Sequence, residues 1–171
     1  MKRRDAAGNV TGDEGAKGAA VSRRQDRHWL EVACDLARRC PPSQTAFSVG
    51  AVIVGADGTE LARGFSRETD PKAHAEEEAL AKLRAAGAAA DLGGATIYSS
   101  LEPCGRRLSR PRPCARLIAE AGIGRVVYAW REPVLFVEGG GEQVLRAAGI
   151  EVVRIADLAA RAREPNAHLL G

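Results

Sequence analysis

Residues 47–65 have the sequence FSVGAVIVGADGTELARGF, and this stretch decides the fold. Phe47 to Val54 is rich in Val and Ile and is predicted as a buried strand, with Glu60 to Phe65 as its partner. Gly55-Ala56-Asp57-Gly58 separates them, and an Asp-Gly step is a strong hairpin signal. The sequence therefore predicts that the first two strands form an antiparallel pair.

On the C-terminal side of this hairpin, helical and strand patterns alternate. A helix rich in Ala, Glu and Leu follows Asp70-Pro71 and is predicted to end near Ala86. The later elements are predicted as strand Ala95 to Ser100, helix Cys114 to Ala121, strand Arg125 to Trp130, helix Glu142 to Ala148, strand Glu151 to Ile155 and a final helix from Asp157 to Arg163. Such alternation implies right-handed parallel crossovers. We expect an α/β fold with a five-stranded mixed sheet and helices on both faces.

One more helix is predicted on the N-terminal side of the hairpin. Asp26 can cap it, apolar residues follow at helical spacing, and Pro41-Pro42 ends it. Residues 1–25 are rich in glycine and small residues without an apolar period, which predicts a flexible extension. A single domain is then expected over residues 26–171.

Composition excludes several classes of protein. The chain is 45% hydrophobic and 27% charged, which is typical of a globular domain. The longest apolar run, Val49 to Ala56, is far shorter than the roughly 20 residues of a membrane helix, so no membrane partner is expected. The N-terminus lacks the apolar core of a secretory signal, which predicts a cytoplasmic protein.

The net charge of +3 does not favour nucleic acid as a partner. Residues 1–25 carry six basic and three acidic side chains, so residues 26–171 are neutral as a whole. A neutral body produces no broad field that attracts a polyanion, and few aromatic residues are present for base stacking. A small-molecule substrate is the better expectation.

Two segments carry residues typical of a metal site. They are Lys72-Ala73-His74-Ala75-Glu76 and Glu102-Pro103-Cys104, the latter separated from Cys114 by nine residues. Taken singly, a histidine or cysteine is more often a capping or core residue. Together, His74, Cys104 and Cys114 are three zinc-type ligands, a number that keeps a fourth position for water. We predict one zinc ion per chain.

A non-ligand acid beside such a zinc ion is the apparatus of hydrolytic deamination. Zinc lowers the pKa of bound water to about 7, which supplies a nucleophile at neutral pH. Glu76 is the predicted catalytic group, which moves protons from that water to the ring nitrogen and the departing amine. Because residues i and i+2 point to different sides of a helix, Glu76 and His74 share a site only near the first turn.

His74-Ala75-Glu76 and Leu101-Glu102-Pro103-Cys104, with Cys114, resemble the cytidine deaminase superfamily. Within it, residues 26–166 are most similar to the deaminase half of the bifunctional riboflavin-biosynthesis deaminase/reductase (RibD/RibG). The resemblance implies the three-layer α/β/α cytidine-deaminase-like fold, the zinc ligands and proton shuttle named above, and an aminopyrimidine ribonucleotide substrate. It also implies a homo-oligomer, for which we expect a dimer. No reductase segment follows, so we expect another protein to supply any reduction.

Several positions depart from this family's pattern. Ala46-Phe47-Ser48 stands where Asn-Pro is usual, Ser66 replaces a histidine, and Gly105-Arg106 replaces Ser-His. Phe47-Ser48-Val49-Gly50-Ala51 is instead similar to nucleoside cytidine deaminases, whose strand lies under the base. Phe47, Ser48 and Ser66 are therefore candidate substrate contacts, with core packing as the alternative for Phe47.

Five arginines fall between residues 106 and 116, a range without an acid. Arginine binds phosphate through paired hydrogen bonds, which makes Arg106, Arg107 and Arg110 candidate phosphate contacts. The alternative is a solvated basic face. On the first interpretation, Arg110→Ala raises KM for a phosphorylated substrate.

Four functions remain open. The first is a riboflavin-type pyrimidine-nucleotide deaminase, and the second is a deaminase of another small substrate, such as a cytosine nucleoside or nucleotide, a purine base or a specialised metabolite. A polynucleotide deaminase is third, but nine residues separate the cysteines where that branch usually has Cys-x-x-Cys. A non-catalytic zinc-stabilised module is fourth, and the retention of Glu76 argues against it.

Overall fold

The computed structural model describes residues 11–87, 91–131, 133 and 140–171, and a five-stranded sheet lies at its centre. The strands are β1 (Gly50–Val54), β2 (Glu60–Phe65), β3 (Thr96–Leu101), β4 (Arg125–Trp130) and β5 (Glu151–Arg154). Their order is β2-β1-β3-β4-β5. β1 is antiparallel to β2 and β3, whereas the β3–β4 and β4–β5 pairs are parallel. The predicted mixed sheet is confirmed.

The turn between β1 and β2 confirms the hairpin prediction. The Gly55 N–H donates to the Thr59 carbonyl at 2.8 Å, and the Gly58 N–H donates to the Gly55 carbonyl at 2.9 Å. Gly58 has a φ of +83°, a conformation that glycine adopts without steric cost. β1 begins at Gly50 rather than at the predicted Phe47, so residues 47–49 precede the strand.

Helices cover the sheet. They are α1 (Thr11–Ala37), α2 (Ala75–Ala85), α3 (Cys114–Glu120), α4 (Gly141–Ala147), α5 (Ala159–Arg163) and α6 (Ala167–Leu170). α1 packs on β1 and β3 and also contacts α5. α2 packs on β2 and β1 and contacts α3, which in turn contacts α4. Short 3-10 turns flank α5, and α6 extends the chain beyond the final predicted helix.

Two glycines show that α1 and α2 lie on opposite faces. A Cβ on Gly50 would lie 2.0 Å from the Ala33 carbonyl oxygen in α1, and one on Gly64 would lie 2.7 Å from the Ala75 carbonyl oxygen in α2. Gly64 pairs with Ala51, the neighbour of Gly50. Successive strand residues face opposite sides, so the three-layer α/β/α arrangement is confirmed.

The start of α1 differs from the prediction. The helix begins at Thr11, so Asp26 is not its cap, and residues 11–25 are helical. Asp26 is 5% exposed and accepts two hydrogen bonds from Arg125, at 2.7 and 2.8 Å, and one from the Tyr98 hydroxyl at 2.9 Å. Residues 1–10 of the predicted extension lie outside the described residues, and a domain boundary at residue 26 stays a prediction.

Cys34 lies in α1, and Cys40 follows the end of this helix. Cys34 is fully buried in the core, as predicted, and burial raises its pKa to about 12. The Cys40 thiol donates to the Val49 carbonyl at 3.4 Å. Among the residues that the structure describes, no helix is both long and apolar enough to span a membrane.

Candidate metal centre

Three separate segments bring His74, Cys104 and Cys114 together. His74 is the N-cap of α2, Cys104 follows the end of β3, and Cys114 is the first residue of α3. Their ligand atoms all lie within 4.8 Å of one another. His74 Nδ1 is 3.7 Å from Cys104 Sγ and 3.4 Å from Cys114 Sγ. We call these three residues the zinc-binding cluster.

The donor set of this cluster suits zinc. One imidazole nitrogen and two sulfurs are ligands that zinc prefers, and three protein ligands leave one position open. Cys104 and Cys114 are 6% and 0% exposed. Across the described ranges, no second group of three His, Cys or acidic residues is placed to hold a metal. Among the described residues, His28, His168, Cys34 and Cys40 belong to no such group.

The start of α3 holds Cys104 in place. The Cys114 N–H donates to Cys104 Sγ at 3.2 Å, and the Ala115 N–H donates to the Cys104 carbonyl at 3.1 Å. A hydrogen bond from the Cys114 thiol lowers the pKa of Cys104, and the same bond raises the pKa of Cys114. Metal binding requires both thiols to lose their protons.

Glu76 lies in the first turn of α2 and is 3% exposed. The hydroxyl of Ser99, a fully buried residue of β3, donates to Glu76 Oε1 at 2.8 Å. Burial raises the pKa of Glu76. His74 has extended backbone angles, φ −88° and ψ 159°, so it precedes the helical repeat and can share one site with Glu76.

Nothing in the sequence alone predicts a role for Ser99 in the site. A serine within a strand belongs to no motif, and the only signal is a polar residue among the buried positions of a central strand. Buried polar groups normally have a hydrogen-bond partner, so this position predicts a partner without identifying it.

A cavity of about 360 Å³ opens beside the cluster. His74, Glu76 and Cys104 form part of its wall. Of the six predicted substrate contacts, four line it: Phe47, Ser66, Arg106 and Arg107. Its volume lies in the range of small-molecule sites.

Ser48 and Arg110 do not line the cavity. Ser48 is 7% exposed, its backbone N–H donates to Asn166 Oδ1 at 2.6 Å, and its hydroxyl accepts a hydrogen bond from Arg67. Arg110 forms ion pairs with Asp70 at 3.0 Å and with Glu77 at 3.1 Å. The structure therefore directs both side chains to protein partners.

Two of the lining residues also have internal partners. The Ser66 hydroxyl accepts from the Val49 N–H at 3.0 Å and contacts the Val49 carbonyl at 3.4 Å. The Phe47 ring packs edge-on against Trp130 with 5.1 Å between centroids. Phe47 thus serves both the cavity wall and the core, and the two sequence interpretations of this residue are compatible.

Arg67 is a cavity residue that sequence analysis missed. Its φ of 62° is unusual for a residue with a side chain. The guanidinium donates to the carbonyls of Pro41, at 2.7 and 3.1 Å, and Phe47, at 3.0 Å, and to the Ser48 hydroxyl at 2.9 Å. Arg67 therefore holds the segment before β1 as one wall of the cavity.

An α/β/α fold with a His/Cys/Cys cluster, a buried glutamate and an adjoining cavity defines a zinc-type deaminase domain. The chain belongs to the cytidine and deoxycytidylate deaminase family, whose zinc-binding region matches residues 23–130. A nucleotide-like substrate suits this family.

Curated relatives of this chain include two RibD-type proteins. The diaminohydroxyphosphoribosylamino-pyrimidine deaminase of Schizosaccharomyces pombe is 40% identical over 125 residues, which are 73% of this chain and 31% of the relative. The riboflavin biosynthesis protein RibD of Aquifex aeolicus is 39% identical over 134 residues, which are 76% of this chain and 35% of the relative. The chain thus spans about a third of the length of these relatives.

Solved structures show the same fold. RibD of Acinetobacter baumannii superposes with a TM-score of 0.72 at 33% identity, over 86% of this chain and 39% of that protein. A C-terminal deletion mutant of the Rib2 deaminase of Aspergillus oryzae gives a TM-score of 0.67 at 27% identity, over 85% of this chain and 99% of that one. The matching part of the longer relatives is their deaminase part.

Proposed function

We propose that this domain catalyses the hydrolytic deamination of an aminopyrimidine ribonucleotide, the riboflavin-pathway reaction named in its S. pombe relative. The observation that carries the proposal is the position of Glu76. This buried carboxylate lies two residues from His74, is bonded to Ser99 and faces the cavity that adjoins the zinc-binding cluster.

His74, Cys104 and Cys114 would hold one zinc ion, which when bound supplies a Lewis acid that activates water. Glu76 accepts the two protons of the attacking water in turn, and delivers one to the ring nitrogen and the other to the departing amine. A C–O bond forms at the amine-bearing carbon, its C–N bond breaks, and ammonia leaves. The Ser99 hydroxyl occupies Glu76 Oε1, so Oε2 is the oxygen that we assign to proton transfer.

Basic residues around the cavity support an anionic substrate. Arg67, Lys72, Arg106 and Arg107 all line it. These cations make the cavity wall a suitable place for the phosphate of a nucleotide substrate. Phosphate recognition by cations at a cavity edge needs no base-specific contact.

A second candidate is deamination of another small substrate. The Ser66 hydroxyl is bonded to the backbone of Val49, and Ala46 lines the cavity without a polar side-chain atom. Both positions carry polar side chains in the riboflavin branch that the sequence resembles. A cytosine nucleoside or nucleotide, a purine base or a specialised metabolite would be recognised through other groups.

The proposal includes a cytoplasmic homodimer with one zinc ion per chain. The resemblance to the deaminase family supports this assembly. Light scattering coupled to gel filtration tests it, and a monomer at micromolar concentration would contradict it.

Ammonia release from zinc-loaded protein tests the function. The substrates are the diaminohydroxyphosphoribosylaminopyrimidine, cytidine, dCMP, cytosine and guanine, with Glu76→Ala as the inactive control. We expect turnover of the first compound and its loss in the variant. Turnover of another compound alone would favour the second candidate, and ammonia from none of them would contradict both.

A further inference from the structure

We call residues 105–113 the basic loop. In this loop an apolar side chain is exposed to solvent while a charged side chain next to it is buried. Leu108 is 93% exposed, whereas the side chain of its neighbour Arg107 is 2% exposed. A guanidinium group leaves water only where hydrogen bonds and an opposite charge replace its hydration. The partners of Arg107 therefore identify what the loop is built to contact.

The guanidinium of Arg107 is hydrogen-bonded to the first turn of α2 and to the residues just before it. Its Nη1 donates to Glu77 Oε2 at 2.6 Å, its Nη2 donates to the Lys72 carbonyl, and its Nε donates to the Ser109 hydroxyl at 3.0 Å. Lys72 precedes His74 by two residues, and Glu77 follows it by three. The loop between the two cysteines is thus attached on both sides of the third member of the zinc-binding cluster.

A second arginine shares Glu77. Arg110 Nε lies 3.1 Å from Glu77 Oε1, while Arg107 holds Oε2. Arg110 also pairs with Asp70 at 3.0 Å. Glu77 therefore joins two points of the basic loop to α2, with one carboxylate oxygen for each arginine.

We propose that Arg107 and Glu77 are positioning residues for the metal centre, because their ion pair locks the basic loop onto the first turn of α2. The loop connects Cys104 to Cys114, and that turn follows His74 directly, so the pair fixes how far apart the ligands lie. Groups that orient metal ligands from outside typically change metal affinity by about 10- to 100-fold. The inference rests on the zinc site of the proposed function and on no particular substrate.

Zinc affinity of the full chain, measured by competition with a chromogenic chelator, tests the proposal. Glu77→Gln and Arg107→Met are each expected to bind zinc about tenfold more weakly. The double variant should lose less zinc affinity than the two single losses combined, since both single variants remove the Arg107–Glu77 ion pair. Arg112→Met is the matched control, because Arg112 is 62% exposed and pairs with Glu120 of α3, and it should leave zinc affinity unchanged.

Hydrogen–deuterium exchange of residues 105–113 gives a second measurement without substrate. We expect faster exchange there in Glu77→Gln, an isosteric change that keeps the test valid if Arg107→Met does not fold. Zinc affinity within about twofold of wild type, together with unchanged exchange in Glu77→Gln, would overturn the inference. If wild type binds zinc but releases no ammonia, only the proposed reaction fails, and the effect of Glu77→Gln on zinc affinity still decides the role of the pair.

Discussion

The zinc-binding cluster and the basic loop are neighbours in the chain, since two of the three cluster residues, Cys104 and Cys114, flank the loop. In the cluster, three side chains converge within 4.8 Å, as their residue types predict. In the loop, Arg107 and Arg110, which the sequence analysis gives as candidate phosphate contacts, form ion pairs with Glu77. A ligand residue's role follows from its own chemistry, whereas the role of a surface charge depends on which opposite charge the fold places beside it.

The largest expected effect concerns the cluster side of this comparison. Glu76→Gln keeps the shape of the side chain but removes the group that accepts protons, so kcat should fall by about 10²- to 10⁴-fold. Zinc content, measured by atomic absorption, should remain at one ion per chain. Near-normal ammonia release from this variant would remove Glu76 from the mechanism.

Stability separates the buried and exposed arginines of the loop. Arg107→Met should destabilise the fold by about 2 kcal/mol, because it removes the charge-assisted hydrogen bonds of a buried guanidinium while Glu77 keeps Arg110 as a partner. Arg112→Met should cost less than about 1 kcal/mol, since both members of its ion pair are exposed. Urea unfolding measures both changes. Equal urea midpoints for the two variants would show that the buried contacts of Arg107 do not stabilise the fold more than the exposed ion pair of Arg112 does.

A smaller effect is expected at Ser99. Ser99→Ala removes one hydrogen bond to the Glu76 carboxylate, worth roughly 1.5 kcal/mol or about tenfold in kcat, with little change in KM. Ser99→Thr retains a hydroxyl and should recover most of the loss. Steady-state kinetics of the two variants test this, and equal activity of Ser99→Ala and wild type would contradict it.

The smallest expected effect reverses the expectation from sequence. Arg110 lies outside the cavity and pairs with Asp70 and Glu77, so Arg110→Ala should change KM for a phosphorylated substrate by less than about threefold. Lys72→Ala provides the comparison. Because Lys72 lines the cavity, this substitution should raise KM for the phosphorylated substrate more than Arg110→Ala does. A tenfold rise in this KM for Arg110→Ala would instead support a role of the basic loop in phosphate binding.

Local pattern predicted most of the fold. β2 and β4 have the predicted limits, and the Asp-Gly turn is confirmed, because alternation and turn chemistry act within a few residues. The predicted start of α1 is wrong. Asp26 is a residue type that commonly caps helices, but in the structure its carboxylate accepts hydrogen bonds from Arg125 of β4. Such a partner is set by tertiary structure.

The same distinction applies within the candidate site. His74, Glu76, Cys104 and Cys114 could be selected from spacing, because their chemistry restricts which residue types can serve. Ser99 could not, since its importance comes from the carboxylate that α2 places 2.8 Å away. Ser48 was expected in the cavity, but Asn166 and Arg67 hold it elsewhere, and both contacts come from distant segments.

The buried ion pair between Asp26 and Arg125 bears on synthesis of the chain. Its two residues are 99 positions apart. At a translation rate of about 5–20 residues per second, Asp26 emerges from the ribosome roughly 5–20 s before its partner. β1 and β3, on which α1 packs, also emerge before Arg125, so the contacts of α1 with these two strands can form before the ion pair does.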